Sequence, residues 1–341
     1  MKLNYLKKVM SGVSFDKLNS CIDAVHNQCG KPKFFIFLDM AMCAVRYGAG
    51  YYDYSIFEFQ NLTAKQRSTY MTRFKNKKLM TLMNNPEYAD YFDKKDIFYE
   101  NFSEFIGRDF IVLKKSTKED VMKFIEGKEF IIAKPRDGEC GHGIEKIKVA
   151  DFETKEELAE YVFNPGKKFD VIEDLLIQHE KLNEIYPHSI NCLRIATILH
   201  EGKPVVLYAV FKTGNNGNFV DNLESGGYAC HVDLETGKIA GPAHTSAVVS
   251  DMSIAEIHSY SGIKFEGFDI PMVKEACELC KKAALVVPQM KYIGWDVAIT
   301  INGPAIVEGN NYCAYDFPQL PDRSRPKIGF LKQIEDLGIK L

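Results

Sequence analysis

Two apolar segments that contain isolated acids lie close together in the C-terminal third of the sequence. They read YIGWDVAIT over residues 292–300 and PAIVEGN over residues 304–310. Both segments have the composition of β-strands, and the short connection through Asn302-Gly303 predicts that they form a hairpin. Because an unpaired charge within an apolar strand is costly, the acids of this hairpin indicate a function.

The expected register of the hairpin follows from its side chains. A two-residue turn at Asn302-Gly303 would place Pro304 in the ladder, where it cannot donate a hydrogen bond, and would mix polar and apolar groups on each face. A loop of three or five residues is therefore predicted, with Asp296 opposite Asn310 and Ala298 opposite Glu308. The apolar side chains expected on the other, buried face are Val297, Ile299, Ala305 and Val307.

This register brings two carboxylates and one amide oxygen to the same side of the hairpin. Asp296, Glu308 and Asn310 supply hard oxygen ligands, which suit a Mg²⁺ ion that also binds substrate phosphates. The alternative is a solvated strand face with two ordinary acids, since Asp and Glu are usually exposed. The apolar surroundings and the adjacent Trp295 favour the metal site.

A glycine-rich loop lies upstream of the hairpin. The apolar run 130–133 leads into Lys134-Pro135, and the loop DGECGHG occupies residues 137–143 before a second strand-like run at 144–149. Several backbone N–H groups of such a loop can point at one anion. It is neither a Walker A loop nor a dinucleotide fingerprint, because Gly-Lys-Ser/Thr is absent and no helix follows. We expect a flap that joins two strands and covers phosphates, with a plain surface hairpin as the alternative.

Length and composition restrict the class of protein. The 341 residues have a net charge of −3, 46% hydrophobic and 26% charged residues, and nine scattered cysteines. These values predict a soluble protein of two or three packed units, without a nucleic-acid partner. The start of the sequence lacks the features of a signal peptide, and the longest apolar stretch, residues 34–45, is too short to cross a bilayer. We therefore expect a cytoplasmic enzyme with no membrane partner.

Further motifs narrow the interpretation to a family. They are Gln178-His179, Ser189-Ile190-Asn191-Cys192-Leu193-Arg194, Val220-Asp221-Asn222, Gly226-Gly227, Gly294-Trp295-Asp296 and Ile306-Val307-Glu308-Gly309-Asn310. Together with the glycine-rich loop, these motifs resemble the sugar-transfer-associated ATP-grasp family over roughly residues 60–320. The resemblance implies an α+β, ATP-grasp fold in which two α+β subdomains clasp ATP. A mainly helical N-terminal region (1–110) would precede a lid subdomain with the flap (111–180) and a C-terminal subdomain with the Mg²⁺ site (181–341).

The resemblance also implies a set of nucleotide-binding residues. Lys134 would contact the α- and β-phosphates, and a second lysine is expected just before a helix, at Lys95 or at the neighbouring Lys94. An interdomain hinge would hold the adenine, with Glu173 near its amino group. The full set is Lys95, Lys134, the flap residues Gly138, Gly141, His142 and Gly143, the hinge residues Glu173, Asp174, Leu175, Leu176 and Gln178, and Glu180 at the ribose.

The resemblance places the reaction itself on the C-terminal subdomain. Arg194 would lie over the transferred phosphoryl group, and Asn222 would hold phosphate or substrate. Lys212 stands where related enzymes often carry arginine. A lysine keeps the positive charge but lacks the guanidinium group that binds two oxygens at once. The hairpin ligands would hold one or two Mg²⁺ ions, with Mn²⁺ as a possible substitute.

The expected reaction is the ADP-forming activation of a carboxylate. The γ-phosphoryl group of ATP would make an acyl phosphate, which an amine (or a thiol) then attacks, so that a carbon–nitrogen bond is the expected product. The expected partners are a small-molecule carboxylate and an amine or sugar-linked acceptor, in surface polysaccharide or glycan modification. The alternatives are a phosphotransferase that releases a phosphorylated small molecule or sugar, and a nucleotide-binding regulator without catalysis. The oligomeric state stays open.

Overall fold

The structure is a computed structural model, and it describes residues 14–136, 143–245, 253–321 and 327–341. Two antiparallel sheets, one of four strands and one of seven, form its framework. Helices occupy most of the chain before the first strand. In the part of the chain that is described, no helix combines the length and the apolar character needed to cross a membrane.

The N-terminal region is helical, as predicted. The first helix of the described residues is capped by the Ser14 side chain and ends at Gly30 in the left-handed conformation. The helices are α1 (Phe15–Cys29), α2 (Lys33–Tyr47), α3 (Tyr51–Ile56), α4 (Ala64–Arg67), α5 (Arg73–Met83), α6 (Asp90–Asp93), α7 (Lys95–Asn101) and α8 (Ser103–Ile106).

The four-stranded sheet, called the small sheet here, follows this region. Its strands are β1 (Phe110–Val112), β2 (Phe130–Pro135), β3 (Glu145–Lys148) and β4 (Phe169–Asp174), in the order β1-β4-β2-β3. Helices α9 (Lys118–Phe124) and α10 (Lys155–Val162) share its hydrophobic core. Strands β2 and β3 pair in antiparallel fashion. The glycine-rich loop therefore joins two strands, as the sequence predicts, although residues 137–142 lie outside the described part of the chain.

The seven-stranded sheet, called the large sheet here, has the order β11-β10-β5-β6-β7-β8-β9. Its strands are β5 (Cys192–His200), β6 (Lys203–Thr213), β7 (Tyr228–Val232), β8 (Ala243–His244), β9 (Ile254–Ala255), β10 (Tyr292–Thr300) and β11 (Gly303–Asn310). The remaining helices are α11 (Glu180–Ile185), α12 (Val273–Ala283) and α13 (Leu331–Asp336).

The β10–β11 hairpin exists, but the predicted loop length and pairing are wrong. Thr300 pairs with Gly303, so the turn has two residues, and Pro304 lies opposite Ile299. A two-residue turn was expected to mix polar and apolar side chains on each face of the hairpin. A register shift next to Asp296 prevents this mixing, and a β-bulge produces the shift by inserting one extra residue.

The bulge fixes which side chains of β11 face the acids. Val297 pairs with Ile306, whereas Asp296 pairs with Glu308, so that Val307 is the extra residue. Ile306 is fully buried and Val307 only partly, contrary to the predicted burial of Val307. Asn310 lies opposite Gly294 rather than Asp296. The acids nevertheless share one face, which is the feature that the metal prediction needs.

The large sheet has a hydrophobic core on each face. On one face, Trp295 and the other apolar side chains that point to the same side of the large sheet pack against α7, α8 and α12. On the other face, Tyr208 and Tyr292 pack against α1, α2, α3, α5 and the C-terminal helix α13. Because side chains alternate along a strand, Asp296 and Arg194 lie on this second face. The N-terminal helices therefore cover the same sheet face that carries the acids.

Asp53 in α3 ties the N-terminal region to the segment that follows β11. Its carboxylate is 1% exposed and accepts hydrogen bonds from the Tyr315 hydroxyl (2.7 Å) and from the backbone N–H of Arg73 (3.1 Å) and Gly50 (3.2 Å). Burial raises the pKa of Asp53 to about 6, from an ordinary value of 3.8. The ionised carboxylate therefore lowers stability, and its protonation relieves this penalty as the pH falls from about 6 toward 3.8.

The Asp53→Asn variant is expected to remove this pH dependence. Between pH 4 and pH 7, the free energy of unfolding of the variant should rise relative to the wild type by about 2 kcal/mol. Only this change with pH tests the prediction. The substitution also removes one of the two oxygens that accept the three hydrogen bonds, and that loss affects stability at both pH values. Urea unfolding at both pH values measures it, with Asp16→Asn, at an exposed position of α1, as the matched control. A constant difference between Asp53→Asn and wild type would contradict the prediction.

Candidate active site

Four charged side chains form a row across adjacent strands of the large sheet. Asp296 on β10 lies directly opposite Glu308 on β11 and directly opposite Arg194 on β5. Lys212 on β6 follows two residues after Val210, the partner of Arg194, and therefore points to the same face. The sheet register thus places two acids and two cations side by side, although Arg194 and Asp296 lie 102 residues apart in the sequence.

Asp296 is the centre of this row. The Arg194 guanidinium donates two hydrogen bonds to its carboxylate, with Nη2 2.9 Å from Oδ2, and the Lys212 ammonium lies 3.1 Å from Oδ2. Asp296 is 4% exposed. Burial alone would raise the pKa of Asp296, but Arg194 and Lys212 outweigh it and hold this pKa well below its usual range. The carboxylate is therefore anionic and firmly oriented.

Glu308 and Asn310 complete the oxygen-rich end of the row. The Asn310 amide nitrogen lies 3.3 Å from Glu308 Oε1 and 3.4 Å from the Gly294 carbonyl oxygen, which leaves its amide oxygen as the possible ligand atom. Burial, together with the neighbouring Asp296, raises the pKa of Glu308. A divalent cation would remove this repulsion, so the donor set fits Mg²⁺. Among the described residues, no three His, Cys, Asp or Glu side chains gather as a metal site.

Asp221 is a member of the site that the sequence analysis did not select. Its Oδ1 lies 3.5 Å from the Lys212 ammonium, and its Oδ2 accepts a hydrogen bond of 3.1 Å from the backbone N–H of Cys192. Lys212 therefore bridges Asp221 and Asp296. The signal lies in the Val220-Asp221-Asn222 motif, in which the family resemblance points to the amide alone. Asn222 itself is half-buried and begins a 3₁₀ turn.

A second buried cluster lies on the small sheet. The Lys134 ammonium on β2 is 2.7 Å from Glu173 Oε1 on β4, and the Arg108 guanidinium is 2.7 Å from Glu173 Oε2. The Tyr99 hydroxyl donates a hydrogen bond to Glu173 and accepts one from Lys134 (2.9 Å). The predicted phosphate lysine and the predicted adenine residue are thus partners of each other in this structure. Sequence analysis missed Tyr99 and Arg108, for which no local pattern exists.

The predicted hinge forms the connection between the two sheets. Strand β4 ends at Asp174, whose carboxylate pairs with Lys128 (2.6 Å), and Gln178 already pairs with Thr300 of the large sheet. The Gln178 side chain is buried and donates to Asn183 Oδ1 (2.9 Å). It therefore acts as an internal structural group in this structure. The intervening hinge residues Leu175 and Leu176 are partly exposed.

The two candidate lysines before α7 differ in their surroundings. Lys94 pairs with Asp90 on α6. Lys95 is half-buried, and its backbone N–H donates to the carbonyl oxygen of Arg136, the last described residue before the flap (3.3 Å). This contact places Lys95 at the base of the predicted flap. Glu180 is exposed at the first position of α11.

Only one of the four predicted flap residues can be placed. Gly143 adopts φ 76°, a conformation that favours glycine, and a Cβ atom there would lie 3.2 Å from Cγ of Pro135. The returning end of the loop thus packs against the end of β2. The other predicted flap residues, Gly138, Gly141 and His142, lie outside the described residues.

The comparison with known families agrees with this architecture. The model of a family described as sugar-transfer associated ATP-grasp matches residues 74–335, and the chain belongs to this family. It is therefore an ATP-grasp protein, and the predicted family and α+β fold class are confirmed. No curated protein matches the chain.

Several solved structures are similar to the chain at low identity. The ATP-grasp ligase PsnB, complexed with minimal precursor, is 16% identical, with 75% of this chain and 62% of that chain covered and a TM-score of 0.42. D-alanyl-alanine synthetase A from Vibrio cholerae is 13% identical (74% and 61% covered, TM-score 0.38). N5-carboxyaminoimidazole synthetase from Staphylococcus aureus is 12% identical (68% and 45% covered, TM-score 0.37). The chain thus spans less than two thirds of the length of each of these three structures.

Proposed function

We propose that the protein is an ATP-dependent, ADP-forming ligase that activates a carboxylate as an acyl phosphate. The observation that carries this proposal is the row of Glu308, Asp296, Arg194 and Lys212 on one sheet face. Its acidic end suits a metal that binds phosphates, and its basic end suits the transferred phosphoryl group. Family membership supports ATP as the substrate that this site serves.

The residues of the row and Asn310 have separate proposed roles. Asp296, Glu308 and Asn310 would hold Mg²⁺ (one or two ions, with Mn²⁺ as a substitute), which neutralises charge on the phosphates when bound. Arg194 and Lys212 would bind the phosphoryl group as it passes from ATP to the substrate carboxylate, because fixed cations stabilise the charge on its oxygens. Lys212 is buried and Arg194 is partly buried, and both are already oriented by Asp296, so little rearrangement is needed.

The remaining assignments belong to the nucleotide. Lys134 and Lys95 would contact its phosphates beneath the flap, and the hinge around Glu173 would hold the adenine. Closure of the flap would exclude water, which would otherwise hydrolyse the acyl phosphate. Asn222 would bind phosphate or substrate.

The second substrate is an amine, so that the product contains a new carbon–nitrogen bond. Its attack on the acyl phosphate releases phosphate and needs no protein nucleophile. We infer a sugar-linked acceptor and a role in surface polysaccharide or glycan modification, in the cytoplasm. The description of the family as sugar-transfer associated supports this part of the proposal.

The test is an incubation of the purified protein with Mg-ATP and a panel of amino acids and uronic acids, following ADP, AMP and phosphate. ADP formation that depends on one acid, with a hydroxamate trapped by hydroxylamine, is the expected result. AMP formation would overturn the mechanism. ADP together with a stable phosphorylated product would identify a phosphotransferase, and binding of Mg-ATP without turnover of any acid would identify a regulator.

A further inference from the structure

Glu173 on the small sheet has two cationic partners, and the proposed reaction uses only one of them. Lys134 binds one carboxylate oxygen and Arg108 binds the other, each at 2.7 Å. All three side chains are almost fully buried, with exposed fractions of 3–6%. The Tyr99 hydroxyl contacts all three, at 2.9 Å from Lys134 Nζ and 2.8 Å from Arg108 Nη2. One carboxylate thus faces two positive charges in a site shielded from water.

Arg108 connects this cluster to the strand that carries the metal ligands. Its Nη1 donates to the carbonyl oxygens of Ile106 (2.8 Å) and Ile306 (3.2 Å). Ile306 lies in β11, two residues before Glu308. Arg108 Nε is buried and has no hydrogen-bond partner among the described residues. The guanidinium is therefore held in place from both sheets and still has one N–H to donate.

The pairing creates a difficulty for the proposed nucleotide site. Lys134 can neutralise the phosphates only if its ammonium moves away from Glu173. A buried carboxylate that loses its only cation is strongly destabilised, because neither water nor another charge compensates it. With Arg108 in place, Glu173 keeps one partner after Lys134 leaves. The unused Nε–H can then take over the vacated oxygen in the bidentate arrangement that arginine favours.

We propose that Arg108 is a positioning residue that retains Glu173 and so allows Lys134 to transfer to the phosphates of a bound nucleotide. This inference rests on the proposed function, since it assumes that Lys134 binds phosphates. It assigns to Arg108 an effect on nucleotide affinity that operates entirely through Lys134. A residue that only stabilises the fold would not show this dependence.

The test is a double-mutant cycle on the full chain, with Mg-ADP as the probe and isothermal titration calorimetry as the measurement. Arg108→Met is expected to weaken Mg-ADP binding at least about tenfold, because Glu173 then retains Lys134. In the Lys134→Met background, the same substitution should change binding by less than about threefold. An equal loss in both backgrounds, or wild-type affinity of Arg108→Met, would overturn the inference.

Two further measurements separate the possible failures. If Arg108→Met does not fold, Glu173→Gln is compared with Glu173→Gln/Arg108→Met, in which no carboxylate remains to hold Lys134. These two variants should bind Mg-ADP equally within about threefold, and a tenfold loss in the second would overturn the inference. Absence of Mg-ADP binding by the wild-type protein would refute the proposed function itself. Binding by the wild type without the coupling would refute only the role of Arg108.

Discussion

The Glu308→Gln variant is expected to lose ADP formation from Mg-ATP by at least about a thousandfold. The substitution keeps the size of the side chain and removes one of the two carboxylates at the acidic end of the row. Asp296 alone is already neutralised by Arg194 and Lys212, so the metal would lose its best anionic ligand. ADP formation with the acid identified in the substrate panel measures the effect.

The matched control is Glu278→Gln, at an exposed position on α12. This variant should retain the wild-type rate, and both variants should unfold at the wild-type temperature within a few degrees. Wild-type-like ADP formation by Glu308→Gln would contradict both the metal assignment and the proposed function.

The Arg194→Met variant is expected to lose about 3–5 kcal/mol of the free energy of unfolding, in addition to its activity. Arg194 provides two of the three hydrogen bonds that cations make to Asp296, which is buried. Removing the guanidinium leaves this carboxylate with Lys212 as its only cation, and Lys212 is shared with Asp221. Urea unfolding of the purified variant measures the loss.

A second substitution tests whether the loss comes from the unpaired charge. Arg194→Met/Asp296→Asn removes both partners and should recover at least about 1.5 kcal/mol relative to Arg194→Met, while remaining inactive. Arg46→Met, at an exposed position on α2, is the control for the loss of an arginine. If the double variant were no more stable than Arg194→Met, the energetic account of the row would be wrong.

The placement of the acids in the fold was predictable from the sequence where local patterns determine it. The acids of β10 and β11 stand out because they interrupt apolar strands, and the period of two places Asp296 and Glu308 on one face. The glycine-rich loop is recognisable because an apolar strand precedes it and a segment of alternating apolar and charged residues follows it. The connection between the two sheets, between the end of β4 and Gln178, lies where the sequence predicts a hinge.

The remaining features depend on tertiary contacts that no local pattern encodes. The bulge at Val307 keeps polar and apolar side chains on separate faces of the hairpin. A longer loop would have the same effect, so the sequence alone does not distinguish a bulge from a longer loop. Arg108 and Tyr99 join Glu173 from positions 65 and 74 residues earlier in the chain. The pairing of Glu173 with Lys134 arises because β2 and β4 are neighbours in the sheet, which is a property of topology.

The shared core on the second face of the large sheet means that the N-terminal helices are not a detachable appendage. A fragment starting near residue 110 would expose a broad aromatic surface, since Tyr54, Phe57 and Phe59 lie in one hydrophobic cluster with Tyr208 and Tyr292. Deletion of the first hundred residues should therefore give insoluble protein rather than a minimal enzyme. Grafting experiments that transplant the large sheet of this chain must carry the helices along with the strands that they cover.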